Sequence, residues 1–258
     1  MDLGLTNKKV IVFGAANGIG RAITESFREE GALVFAADLK AMPGEDSGEV
    51  DISDFAAVKN LVDELGRKWE EIDHVVCAAA IGSGKFGFPF WNLDPGDWSR
   101  VLDVTLLGTV NVAHAAQPWL CDRNSQGKTM LFFTSVAGQI GSQTDPPYSA
   151  AKAGIINFTQ CAARDFAPYG VRVNALSPGM VKTSLNESVW ATGQAGLRKE
   201  ERQSYEDWAK QKIQSNAPLG NWQEPEEFGA MAVFLASPLA KNITGQTINI
   251  DGGQVMHS

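Results

Sequence analysis

Three cysteines, Cys77, Cys121 and Cys161, are all that the 258 residues contain. They are far apart, form no CxxC pair and have no cluster of histidines around them, which argues against a disulfide framework and a zinc site. Free thiols suit a reducing compartment, so a cytoplasmic location is expected. Histidine is as scarce: His74, His114 and His257 are scattered, and no metal site is expected. Clusters of lysine and arginine are missing too. With a net charge of -8 and a pI near 5.0, the chain is a poor partner for a phosphate backbone, and no nucleic acid is expected. No apolar run approaches the length of a membrane span, so no membrane partner is expected either. The first such run, Val10 to Phe13, is too short for the core of a signal peptide. Linkers, repeats and low-complexity tracts are absent, and residues 1–258 read as one domain.

What is present is an alternation. Hydrophobic residues make up 44% and charged residues 20%, a globular balance that can fill one large α/β core. Lys9 to Phe13 is a short apolar run ended by glycine, which suits a buried parallel strand. Ile19, Ala22, Ile23 and Phe27 follow at helical spacing, and Gly31 stops that helix. A second strand runs from Ala32 to Ala37 and ends at Asp38. Later strands are predicted to end near Val50 and to cover 72–78, 129–134, 171–176 and 246–250. Helices are predicted over 55–69 and 95–120, and another carries Tyr148 until Pro168-Tyr169-Gly170 breaks it. Strands alternating with helices imply a Rossmann-like, doubly wound parallel sheet with helices on both faces. Two segments break the rhythm. Gly82 to Trp98 holds Phe86, Phe88, Phe90, Trp91 and Trp98; Ser184 to Leu219 is long and polar, with Trp190, Tyr205 and Trp208. Such irregular stretches are expected to be lids or binding loops, the second one a substrate loop.

Gly14-Ala15-Ala16-Asn17-Gly18-Ile19-Gly20 follows the first strand and opens the first helix. Glycines let a backbone turn tightly and approach a pyrophosphate, and the helix N-terminus offers N–H groups to the anion. Asp38 ends the second strand eighteen residues after Gly20, where a carboxylate accepts hydrogen bonds from the adenosine ribose. The same charge repels a 2′-phosphate, so NAD is expected over NADP although Lys40 is close. Asp51 ends the next strand and is expected to reach the adenine.

Tyr148 and Lys152 lie four residues apart on one helix face, and Ser135 lies thirteen residues before Tyr148. Free tyrosine, with a pKa of about 10, is a poor base at neutral pH. A nearby ammonium lowers that value, and Lys152 is placed to supply it. Ser135 ends a predicted strand, where doubly wound folds place their ligands.

At this point the chain resembles the short-chain dehydrogenase/reductase family over essentially its whole length. Gly14, Gly18 and Gly20 fall on the family's cofactor glycines, with Asn17 and Ile19 between them. Ser135, Tyr148 and Lys152 fall on its catalytic serine, tyrosine and lysine, the last two also serving the cofactor. Asn174-Ala175-Leu176-Ser177-Pro178-Gly179 resembles its Pro-Gly motif, after which Val181 and Thr183 match nicotinamide contacts. Thr244-Gly245-Gln246 and Asp251-Gly252-Gly253 resemble its last-strand signature. Two departures stand out: Cys77-Ala78-Ala79-Ala80 replaces Asn-Asn-Ala-Gly, and Thr105 takes the place of the fourth catalytic residue, an asparagine. Phe13 also stands where threonine is common.

The resemblance implies an oxidoreductase that interconverts a secondary alcohol and a ketone with NAD, Tyr148 handling the proton. It also implies a homodimer or homotetramer built on the 95–120 helix and the helix carrying Tyr148. Gln139, Ser142, Gln143, Thr144 and Asp145 suit a polyol or sugar-like substrate, whereas the aromatic segments suit a cyclic or hydrophobic one. Reduction of 3-oxoacyl thioesters is a second reading, and a non-catalytic NAD-binding protein a third.

Overall fold

Lys9–Phe13 forms β1, and its residues divide by parity between two cores. Ile11 and Phe13 pack on one face of the sheet, Val10 and Val12 on the other. That is the period of a strand covered on both sides. The strands β2 (Leu33–Asp38), β3 (Ser47–Glu49), β4 (His74–Cys77), β5 (Thr129–Phe133), β6 (Arg172–Pro178) and β7 (Thr247–Ile250) join it. All pairs are parallel, in the order β3-β2-β1-β4-β5-β6-β7. The fold is a single Rossmann-like α/β domain. This computed structural model describes residues 2–43, 46–85, 87–122, 126–141, 145–195 and 197–256, without the side chains of Ser184 and Leu185. Phe86, Ser142, Gln143, Thr144 and His257, named above, lie outside the described residues.

The helices are α1 (Gly18–Glu29), α2 (Phe55–Trp69), α3 (Pro95–Val101), α4 (Gly108–Leu120), α5 (Pro146–Phe166), α6 (Ser184–Ala195), α7 (Tyr205–Asn216) and α8 (Pro225–Ala236). Ile23 and Phe27 of α1 meet Phe228 and Ala232 of α8 on one face. Val58 and Val62 of α2, Val112 of α4 and Ile155 of α5 fill the other. The sheet order reverses between β1 and β4, and such a switch point opens a crevice at the carboxyl ends of the strands.

Three expectations are corrected. The 95–120 helix is interrupted by a π-helical stretch, Leu102–Leu107, between α3 and α4. The 184–219 segment is largely helical, as α6 and α7, instead of irregular. Only Ala209 and Ile213 of α7 are buried, so its sequence carries almost no apolar stripe. The alternation read from the sequence also omits α8, whose residues are apolar nearly all round and therefore show no amphipathic period.

Within β4, His74 is fully buried, with its ring stacked on Phe27 and Nδ1 2.9 Å from Thr129 Oγ1. Burial pushes its pKa down from 6.5 to about 3, against an opposing pull from Asp73. The unfolded chain therefore takes up a proton that the folded chain refuses. Stability is full above pH 6.5 and falls as pH drops towards 3, by up to about 1.4 kcal/mol per pH unit. Denaturant melts at successive pH values check this: His74→Gln should lose less stability on acidification than the wild type. Equal losses in the two proteins would contradict it.

Candidate active site

β1 runs into a glycine turn that leaves no room for side chains. Gly14 sits at φ +81°, and a Cβ there would lie 2.5 Å from the Ala79 nitrogen. One on Gly20 would lie 2.0 Å from the Gly14 carbonyl oxygen. Over the turn hangs Thr183, whose Cγ2 would be 3.1 Å from a Cβ on Gly18. The result is a backbone cradle at the N-terminus of α1, with the shape and polarity a pyrophosphate requires. Beside it, Asp38 Oδ2 accepts from the Ala16 N–H at 2.9 Å and Oδ1 from the Leu39 N–H at 2.7 Å. The carboxylate is thus fixed against the glycine turn and keeps lone pairs for a ribose hydroxyl. Asp51 accepts from the Ser53 hydroxyl and N–H, which hold its carboxyl below the usual range.

A cleft of about 1150 Å³ runs along the carboxyl ends of the strands. It is lined by Asp38 and Asp51 at the β2–β3 end, by Gly14, Asn17, Gly18, Ile19 and Gly20 beneath it, and by Pro178, Gly179, Val181 and Thr183 beyond β6. Ser135, Tyr148 and Lys152 face the same space. These residues fit a nicotinamide dinucleotide laid across the switch point.

Pro146 and Pro147 start α5, so Tyr148 sits in its first turn and Lys152 one turn on. Thr134 Oγ1 donates to the Lys152 carbonyl at 2.8 Å and ties that turn to the end of β5. Lys152 is buried; its Nζ donates to the Phe133 carbonyl at 2.6 Å and lies 5.4 Å from the centre of the Tyr148 ring. Burial lowers its pKa from 10.5 to about 8. Tyr148 moves the other way, up to about 12, because enclosure by protein outweighs a hydrogen bond from Ser135, and Asp145 adds repulsion. Burial thus outweighs the lowering expected from Lys152.

Thr105, expected among the catalytic residues, does not line the cleft. Its buried hydroxyl accepts from the Ile81 N–H at 3.1 Å and donates to the Ile81 carbonyl at 3.0 Å. It clamps the loop after β4, whose Ala78, Ala79, Ala80 and Ile81 form the cleft floor. Thr105→Val keeps the shape and removes both bonds, so it should destabilise by about 1–3 kcal/mol, while Thr105→Ser should stay near wild type. Thermal melts of both check this, and a valine variant as stable as wild type would contradict the clamp.

Of the polar residues before Tyr148, Gln139 is elsewhere. Its Nε2 donates to Ser177 Oγ at 2.6 Å and to Asn249 Oδ1 at 2.7 Å, which spends it on joining β6 and β7. Asp145 does line the cleft. Its Oδ2 accepts from the Ser83 N–H at 2.7 Å, and its buried Oδ1 has no partner among the described residues. Burial raises its pKa. Among the described residues of Gly82–Trp98, Phe88, Phe90 and Trp91 are exposed, and Gly96 lines the cleft while Phe88, Phe90, Trp91 and Trp98 do not. Lys212, Asn216 and Gln254 line it and were not anticipated. Trp208, Lys212 and Asn216 recur every four residues along α7, which is the signal that was available.

The family model described as enoyl-(acyl carrier protein) reductase matches residues 14–255. The chain belongs to the short-chain dehydrogenase/reductase family, whose members are oxidoreductases acting on alcohols and ketones. It is 30% identical to the 3-oxoacyl-(acyl-carrier-protein) reductase FabG of Thermotoga maritima over 98% of this chain and 99% of that one. It is equally 30% identical to the NAD-dependent glycerol dehydrogenase of Listeria innocua, over 98% and 95% of the two chains. Among solved structures, the aldohexose dehydrogenase AldT of Thermoplasma acidophilum superposes with a TM-score of 0.88 at 27% identity, covering 100% of this chain and 98% of that one. Among the described residues no helix is long and apolar enough to cross a membrane.

Proposed function

We propose that this chain is an NAD-dependent dehydrogenase that interconverts a polyol or sugar-like secondary alcohol and its ketone. The observation that carries this reading is a single cleft with a glycine cradle and Asp38 at one end and Ser135, Tyr148 and Lys152 at the other. When bound, the nicotinamide supplies hydride acceptor and donor chemistry. Tyr148 takes the alcohol proton in oxidation and returns it in reduction. Ser135 holds the substrate oxygen, and Lys152 fixes the tyrosine and the nicotinamide ribose. NAD is preferred because Asp38 repels a 2′-phosphate. The polyol preference rests on Asp145, a polar side chain that lines the cleft three residues before Tyr148. The glycerol and aldohexose dehydrogenases among the similar proteins agree with it. The assembly is taken as a cytoplasmic homodimer or homotetramer.

Similarity to FabG favours a second reading, reduction of a 3-oxoacyl thioester. A panel of polyols, aldoses, hydrophobic secondary alcohols and 3-hydroxyacyl thioesters, each with NAD⁺ and followed by NADH absorbance, separates the two. Turnover of polyols or aldoses is expected. Turnover confined to thioesters or hydrophobic alcohols would replace the reading.

A further inference from the structure

Lys212 has a setting that the proposed reaction does not use. It is half-buried in α7 while its neighbours Lys210 and Gln211 are exposed. Its Nζ lies 4.7 Å from the centre of the Trp208 ring, which holds the stem down against the protein. Among the described residues no carboxylate pairs with it, and burial alone displaces its pKa, downward. A lysine on a polar helix ordinarily extends into water. This one instead lines the cleft.

Its position along the cleft is set by packing. Ile213 and Ala217 dock on Met180, just beyond Gly179 at the end of β6. In the strand order, that is past β5 and Ser135, on the side away from Asp38 and Asp51. Asn216 and Gln254 share the wall, and Gln254 Oε1 is buried without a partner among the described residues. Asp145 also lines the cleft, and its carboxylate repels an acid group placed beside it. The lining therefore offers a cation at Lys212 and an anion at Asp145.

We propose that Lys212 binds an anionic group of the substrate, so that the alcohol carries a carboxylate or phosphate. This rests on reading the cleft as an alcohol-oxidising site. A desolvated ammonium without a counter-ion gains most from such a group.

The test is calorimetric binding to NADH-loaded protein, which does not require turnover. Gluconate is compared with sorbitol, and glycerol 3-phosphate with glycerol, in wild type, Lys212→Gln and Lys212→Arg. In at least one pair the acid should bind wild type about tenfold or more tightly than its neutral partner. The glutamine variant should lose that difference and the arginine variant keep it, with NADH affinity unchanged. The pair that shows the difference tells carboxylate from phosphate. Equal binding of acid and neutral partners by wild type overturns the proposal. So does a difference that survives in Lys212→Gln while NADH binding weakens, which makes Lys212 a cofactor phosphate ligand. Lysine-dependent acid binding without turnover of any alcohol would strike the dehydrogenase reading alone.

Discussion

Tyr148→Phe should lose about a thousandfold or more in kcat, within the range general acid–base catalysis supplies, and should bind NAD as the wild type does. The substitution removes one hydroxyl and leaves the ring that Lys152 faces at 5.4 Å. A stopped turnover assay alongside calorimetric NAD binding separates a lost proton acceptor from a damaged site. The same residue sets a pH dependence. With its pKa pushed up to about 12, Tyr148 is protonated at neutral pH. Oxidation needs the phenolate, so its rate should climb with pH from about 7 to about 10, approaching tenfold per unit. Reduction uses the protonated form and should not climb. A variant with undiminished turnover would remove Tyr148 from the mechanism.

The second large effect concerns Asp38. Asp38→Asn keeps an oxygen to accept the Ala16 N–H, bonded at 2.9 Å in the wild type, gives up the bond from the Leu39 N–H and removes the charge. The preference for NAD⁺ over NADP⁺ should then fall by about a hundredfold, mainly through a gain with NADP⁺, since a like-charge juxtaposition costs several kcal/mol. The ratio of kcat/KM for the two cofactors measures this directly. A ratio unchanged from wild type would mean that the carboxylate serves only to hold the glycine turn.

Legibility of this chain followed the reach of each interaction. The helix over Phe55–Trp69 was readable because Val58, Val62 and Leu65 mark one buried face. Asp38 and Ser135 were readable because each ends an apolar run, and the fold puts strand ends at the cleft. α7 was not, since two buried residues in twelve leave no stripe. The π-helical stretch at Thr105 accompanies bonds to Ile81, 24 residues away, and Gln139 is claimed by Asn249, 110 residues away. The unpartnered oxygen of Asp145 and the cation of Lys212 are products of tertiary placement alone. Local pattern carries no information about whether a polar side chain finds a partner.

The most direct test of the central claim is isotopic. Carbinol-deuterated alcohols from the most active class are incubated with the protein and NAD⁺, and the reduced cofactor is analysed by mass spectrometry. One deuterium per NADH is expected from the wild type, with Tyr148→Phe forming NADH at least about a thousandfold more slowly. NADH that carries no deuterium, or bound NAD⁺ recovered unreduced with every alcohol, would contradict it.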